Sequence, residues 1–349
     1  MFYSLLLEHY KNHTNWNFLF GMRNIILWAN GSGKTHVLEA IHDLCNGRFQ
    51  SIHETQCIEG WLETSVGVCK YRMFTDTNGT SYFYQDKKVP RKKYIESLSF
   101  RSVSFSPIDM NLLYLSPSHR RDFLDDILDR AYDQFSSVRS KYNRLLKQRN
   151  ALLKKISQQE AWSDDLDYWD HEIAKTADIY IQYRLHLIEF LQKWREDLNQ
   201  FFHWKHDISL CYISKIPTQD VAQSVQQYLL ENRQRDILLG HTYVWPHLDD
   251  FWFFISYWWD KILSSEHLSR WENKILLLFL KYFEVVFLER ITKKWIIVLL
   301  DDLFSELDAE YSNRVLQMFS KYQIFITAQF FLEHIRESWD FSCINLNSQ

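Results

Sequence analysis

Residues 24–42, NIILWANGSGKTHVLEAIH, constrain this chain more than any other stretch, because a short apolar strand there runs into a glycine-bearing loop and then a helix. That order predicts a nucleotide-phosphate cradle. Asn30, Gly31, Ser32 and Gly33 can turn backbone N–H groups toward phosphate oxygens, and a helix starting at Lys34 aims the positive end of its dipole at the same anion. Trp28 and Ala29 open the loop, Lys34 is placed to reach the β- and γ-phosphates, and Thr35 to ligate Mg2+. One position departs from G-x-x-x-x-G-K-[ST]. Its first glycine falls on Trp28, a bulky indole beside a loop that must close on phosphate.

Composition bears on that departure. The chain has eight glycines and fourteen tryptophans in 349 residues, where average usage of about 7% predicts about two dozen glycines. Together the two types number 22, close to that expectation. Several tryptophans therefore read as standing where the protein of the native cell carries glycine, as a recoded stop codon translated under another table would produce. The alternative is a diverged, tryptophan-rich chain with a damaged site.

Net charge is −4, so nucleic-acid binding must come from local patches. The five cysteines (Cys45, Cys57, Cys69, Cys211, Cys343) form no C-x-x-C pair, which favours a reducing compartment and no structural zinc. Apolar runs such as 275–280 are too short to span a bilayer, and no charged segment with an apolar follower opens the chain. The expectation is a soluble, cytoplasmic protein without a membrane partner. A hydrophobic content of 46% supports one large or two ordinary domains.

Residues 1–23 read as edge strands, and Val37, Leu38, Ile41 and Leu44 give the following helix one packing face. Antiparallel strands are expected over 63–89, with a hairpin at Asn78-Gly79. The cluster Lys87, Lys88, Arg91, Lys92, Lys93 then reads as either a solvated turn or a phosphate-contacting patch. Past two proline-marked turns and a helix bearing Arg120 and Arg121, 3-4 spacing of Phe135, Val138, Tyr142, Leu145, Leu152 and Ile156 predicts a long helix, with Arg149 in one seam slot. Leu166, Trp169, Ile173, Tyr180, Leu187, Phe190 and Trp194 answer on a return helix, with a tip at 157–163. At 1.5 Å per residue, about thirty residues make each arm helix about 45 Å long. Arg144, Lys147, Arg149, Lys154 and Lys155 have no acid among them, so the outgoing helix offers a DNA-contacting surface or simply a solvated face.

From 240 onward sheet and helix return. IIVLLDD, 296–302, reads as a buried parallel strand delivering carboxylates to a phosphate site. Asp301 is placed to hold Mg2+ and Asp302 to orient or deprotonate the attacking water. QIFITAQ, 323–329, is a further buried strand whose Thr327 is a candidate γ-phosphate contact, though a threonine at a strand end also serves structure alone.

The P-loop and LLDDLFSELD lie at opposite ends of the chain around a helical hairpin, a layout similar to SMC-like ABC ATPases. NGSGKTHVLEAI, SFSPIDM, SPSHRRDFLDDIL, KYNRLLKQRNALLK, the Trp169-Asp170 pair, VWPHLDDF, LSRWENKILLLFLK and LLDDLFSELD together resemble the RecF family of recombination mediators over nearly the whole chain. Three departures all put tryptophan for glycine. They are Trp28, Trp245 in a G-P-H-x-D-D element, and Trp271 in the S-x-G signature after Ser269 and Arg270; Trp258-Trp259 also occupies a turn that favours glycine.

The resemblance implies an α/β fold. It would be an ABC-type P-loop ATPase head with a mixed sheet and an antiparallel β-subdomain, formed by 1–107 and 240–349, with an inserted helical domain, 108–239, carrying a short antiparallel coiled-coil arm. It further implies weak DNA-dependent ATPase activity and an ATP-dependent homodimer, in which Ser269 and Arg270 of one copy contact the γ-phosphate held by the other. Double-stranded or junction DNA would be gripped until slow hydrolysis releases it, with RecO and RecR as partners in loading RecA during gap repair. An SMC-like tether is the competing class, against which the short arm and missing C-x-x-C hook count. A transporter ATPase subunit has no use for such an arm.

Overall fold

The computed structural model describes residues 1–11, 13–27, 33–49, 55–64, 66–193, 207–243, 249–257, 260–303, 307, 309–328 and 339–345. Contacts divide the chain into two compact units, one holding Met1–Met110 and Lys274–Gln349, the other Asn111–Gln200 and Trp204–Asn273.

The first unit begins with β1 (Phe2–Tyr10), β2 (His13–Leu19), β3 (Arg23–Leu27), α1 (Lys34–Asn46), β4 (Gln56–Thr64), β5 (Gly67–Asp76), β6 (Gly79–Tyr84), β7 (Lys87–Val89), α2 (Arg91–Ser97) and β8 (Phe100–Phe105). The second contributes α3 (Asn111–Tyr114), α4 (Pro117–Ala131), α5 (Phe135–Ser157), α6 (Leu166–Gln192), β9 (Ile208–Ile213), α7 (Val221–Glu231), α8 (Arg233–Leu239), β10 (Asp250–Tyr257), β11 (Asp260–Leu263) and α9 (Ser264–His267). After α10 (Arg270–Thr292) come β12 (Trp295–Leu300), α11 (Ala309–Met318), β13 (Gln323–Ala328) and β14 (Ser342–Asn345).

Two sheets build the first unit. One is antiparallel, in the order β2-β1-β4-β5-β6-β7, and the other is five-stranded, in the order β14-β3-β13-β12-β8. In the second sheet every pairing is parallel, so the C-terminal ends of β3, β13 and β12 share one edge. β12 and β13 are apolar almost throughout because neighbours cover both faces. The apolar face of α1 (Val37, Leu38, Ile41, Leu44) packs into one core with β1, β4 and β5 and with Ile297, Leu299 and Phe325. At about 1.5–3 kcal/mol for each fully buried side chain, those four residues contribute at most about 6–12 kcal/mol. Gly60 in β4 lets α1 come this close: a Cβ there would lie 2.4 Å from Leu44 Cδ2 and 2.6 Å from Phe2 Cε2.

Some expectations shift in detail. β1 is an internal strand, between β2 and β4, rather than an edge. The hairpin forms one residue early, with Asp76 opposite Gly79, and Gly79 takes φ 114°.

The second unit is the inserted arm. α5 and α6 run back from a tip at 158–165; they have 23 and 27 residues, so they span about 35 and 40 Å, less than expected, α5 because only 23 residues lie between its first seam residue, Phe135, and the tip. The seam uses Leu153 where Leu152 was expected, and Leu152 is half-buried. This unit also extends to Asn273 rather than 239, since β9 pairs antiparallel with β10 and β10 with β11.

Buried ion pairs tie the insertion together. Arg120 donates to both oxygens of Asp250 at 2.8 Å, and its guanidinium sits 3.6 Å over the Trp252 ring. Arg184 and the Tyr180 hydroxyl both donate to Asp125. Arg149, 0% exposed, donates to Asp170 at 2.6 Å, Asp236 at 2.8 Å and Thr242 at 2.6 Å. Its place in the seam withdraws Arg149 from the DNA-contacting set, because a guanidinium enclosed by two carboxylates has no face left for phosphate.

Candidate nucleotide-phosphate site

Trp28, Ala29, Asn30, Gly31, Ser32, Trp245, Trp258 and Trp259 lie outside the described residues, so the site is built from what flanks the loop. Gly33 caps α1 with φ 95° and ψ 14°, a left-handed conformation that glycine adopts without a Cβ penalty. Its carbonyl accepts from the N–H of His36 at 3.0 Å, which starts the helix at Lys34. The Lys34 ammonium donates to the Ala328 carbonyl at 3.4 Å, at the end of β13. Burial holds its pKa below the ordinary lysine value, although Asp302 and Asp301 pull the other way.

Three strand ends meet beside it. Thr35 Oγ1 donates to Asp301 Oδ2 at 3.0 Å, and Thr327 Oγ1 donates to Asp301 Oδ1 at 2.6 Å. The N–H of Asp302 donates back to Thr327 Oγ1 at 2.9 Å, and that of Asp301 to the Phe105 carbonyl at 2.8 Å. Asp302 adopts φ 48°, a left-handed conformation that aspartate tolerates better than most residues. This cluster lies at the carboxyl edge of a parallel sheet, where open α/β folds bind ligands.

The donor set suits Mg2+. A carboxylate oxygen and a threonine hydroxyl 3.0 Å apart are hard oxygen ligands of the number this ion takes from protein when phosphates supply others. Thr327 departs from its expected role. It is 1% exposed, and its single hydroxyl hydrogen goes to Asp301, leaving none to donate to a γ-phosphate.

Ser269 and Arg270 are exposed at the start of α10, and Trp271 is half-buried. Ser269 and Glu272 form a reciprocal cap: the serine N–H and hydroxyl donate to Glu272 Oε2 at 2.8 and 2.7 Å, and the Glu272 N–H donates to Ser269 Oγ at 3.2 Å. The S-x-x-E spacing of 269–272 is legible in the sequence, although Glu272 was not among the expected site residues.

Two basic surfaces are exposed. Lys87, Lys88, Arg91, Lys92 and Lys93 lie on β7 and the first turn of α2; Arg91 Nε donates to the Gly47 carbonyl, and Lys92 reaches Glu96 at 3.9 Å. On α5, a helix with no acidic residue, Arg144, Lys147, Lys154 and Lys155 fall within about 100° of the circumference. Among the described residues no carboxylate lies within ion-pair distance of these four.

No protein-family model matches the chain. It is 32% identical over 343 residues to the DNA replication and repair protein RecF of Ruminiclostridium cellulolyticum, covering 93% of this chain and 91% of that one. A solved structure of the recombination mediator protein RecF with ATP, in the RecFOR pathway, superposes with TM-score 0.84 at 24% identity, covering 99% and 95% of the two chains. An SMC head bound to the C-terminal winged-helix domain of ScpA superposes with TM-score 0.54 at 12% identity, covering 99% and 93%. The fold is thus that of an ABC-type ATPase head with an inserted helical arm. Among the described residues no helix is long and apolar enough to cross a membrane.

Proposed function

Because the chain belongs to the RecF family of DNA replication and repair proteins, we propose that it is a weak DNA-dependent ATPase of recombinational gap repair and replication-fork maintenance. The observation that carries this reading is the junction of Lys34, Thr35 and Asp301 at one sheet edge. Lys34 neutralises β- and γ-phosphate charge, and the loop 28–33 cradles the phosphates. Thr35 and Asp301 hold Mg2+, which when bound offsets phosphate charge. Asp302 orients the attacking water and takes its proton.

Ser269 and Arg270 of a second copy complete the site, so ATP binding closes a homodimer and slow hydrolysis reopens it. The exposed cations of β7, α2 and α5 contact the backbone of double-stranded or junction DNA. RecR and RecO are the expected partners in loading RecA on single strands, a reading supported by the RecFOR pathway named for the ATP-bound relative. The cytoplasm is the expected location.

The test is sedimentation velocity of a glycine-restored chain (Trp28→Gly, Trp245→Gly, Trp271→Gly) with ATP and gapped duplex DNA. ATP-dependent dimers that bind DNA with steep salt dependence are expected. Lys34→Ala should abolish nucleotide binding and Asp302→Asn should trap the ATP-bound dimer. A glycine-restored chain that stays monomeric with ATP and ignores DNA would sink the proposal.

A further inference from the structure

Two carboxylates at the end of one strand are useful only if their positions are fixed, and a strand end is where backbone order is weakest. Besides the bond from the Thr35 hydroxyl, three hydrogen bonds fix this one, and two run through a single side chain on the next strand. The Thr327 hydroxyl donates to Asp301 Oδ1 at 2.6 Å and accepts from the backbone N–H of Asp302 at 2.9 Å. The third, from Asp301 N–H to the Phe105 carbonyl, comes from the strand on the other side. Thr327 is 1% exposed, so water does not compete for its hydroxyl.

We propose that Thr327 is the positioning residue of the site, setting the metal-side carboxylate and the water-side carboxylate together without touching phosphate. The inference rests on the ATP reading above. Its chemistry is that of an outer-sphere partner. By donating to Oδ1 it turns Oδ2 toward Thr35, so the two oxygens offered to a divalent cation face one another. By accepting from Asp302 N–H it holds that residue in its left-handed conformation, φ 48°, which an L side chain does not favour by itself. One hydroxyl therefore couples metal affinity to the placement of the general base.

Thr327→Val keeps the shape of the side chain and removes both bonds, whereas Thr327→Ser keeps both. In the glycine-restored chain, a fluorescent ATP analogue without divalent cation should bind Thr327→Val and its parent within about twofold, since no phosphate contact is lost. Mn2+ affinity in the complex with a non-hydrolysable analogue, read by electron paramagnetic resonance, should fall about 10–100-fold, the range for outer-sphere partners. Amide exchange at Asp302 should accelerate in the nucleotide-free protein, and Thr327→Ser should restore both readouts. A Thr327→Val chain matching its parent in Mn2+ affinity and Asp302 exchange would overturn this inference alone. A parent that binds no nucleotide would take down the ATP reading, and this inference with it.

Discussion

Replacing Arg149 by methionine is expected to cripple the inserted unit, and the structure gives the magnitude. Methionine fills a similar volume without charge, so the cavity contribution is small and the electrostatic one remains. Breaking a buried ion pair from one side costs about 3–5 kcal/mol, because the partner charge stays buried. Two carboxylates lose Arg149, but they are not equally exposed to the loss. Asp170 keeps Arg233 at 2.8 Å, while among the described residues Asp236 keeps the backbone N–H of Tyr243 in place of its guanidinium. One broken pair, not two, is therefore the right count, giving about 3–5 kcal/mol. With a urea dependence of about 2 kcal/mol per molar, the midpoint of the second unit should fall by about 1.5–2.5 M. Circular dichroism through a urea titration would read it. Loss of DNA affinity in a chain whose midpoint moves by less than about 0.5 M would refute the burial argument and return Arg149 to the DNA-contacting face.

Gly60→Ala should lower stability by about 1–3 kcal/mol, since the added Cβ meets Leu44 and Phe2 well inside van der Waals contact; a thermal melt reads it. Burial pushes the Asp249 carboxyl up to about 6, against the hydroxyls of Ser214 and Tyr212 and the charges of Arg184 and Arg121. A raised folded-state value means that the group stabilises the fold below its unfolded pKa of about 3.8 and loses that contribution as pH rises to about 6. Asp249→Asn should therefore remove a slope of about 3 kcal/mol across that window, seen in urea titrations at its two ends. Replacing Arg144, Lys147, Lys154 and Lys155 by glutamine should leave the melting temperature unchanged and reduce the slope of log affinity for duplex DNA against log salt by about 3–4. Protein purified from its native source should be lighter than the mass of this sequence by a whole number of Trp→Gly steps, and an intact mass equal to that of this sequence would dismiss recoding.

What the sequence made legible was local. The run from Asn24 through the helix at Lys34 and the apolar strand ending in Asp301 and Asp302 carry their own periodicity and stop signals, so their elements stand where expected. The arm followed from its 3-4 seam, Arg149 included. What stayed hidden depends on distant partners. The seam slot sets Arg149 apart from Lys154, but its partner is not legible until Asp236, 87 residues away, is brought against it. Arg120 finds Asp250 across 130 residues, so two segments that look like chemical motifs prove to be halves of one internal ion pair. The end of the insertion was missed because β9 pairs with a strand beyond the apparent boundary, and no local pattern announces a pairing partner. Thr327 read either as a γ-phosphate contact or as a structural strand end; only the bond directions show that its proton serves Asp301.

The parallel sheet of the first unit also dictates an order of assembly on the ribosome. β3 cannot pair until β13 exists, and the N–H of Phe2 waits for Gln323, 321 residues later. At about 5–20 residues per second, that delay is about 15–60 s, during which the edge that becomes the phosphate site is an unpaired strand. The inserted unit closes over shorter spans, 130 residues from Arg120 to Asp250 and 159 from Tyr114 to Asn273, so its wait is about half as long. The nucleotide site is therefore the last part of the molecule to close, and protease pulses on arrested nascent chains should find the arm protected while β3 is still cut.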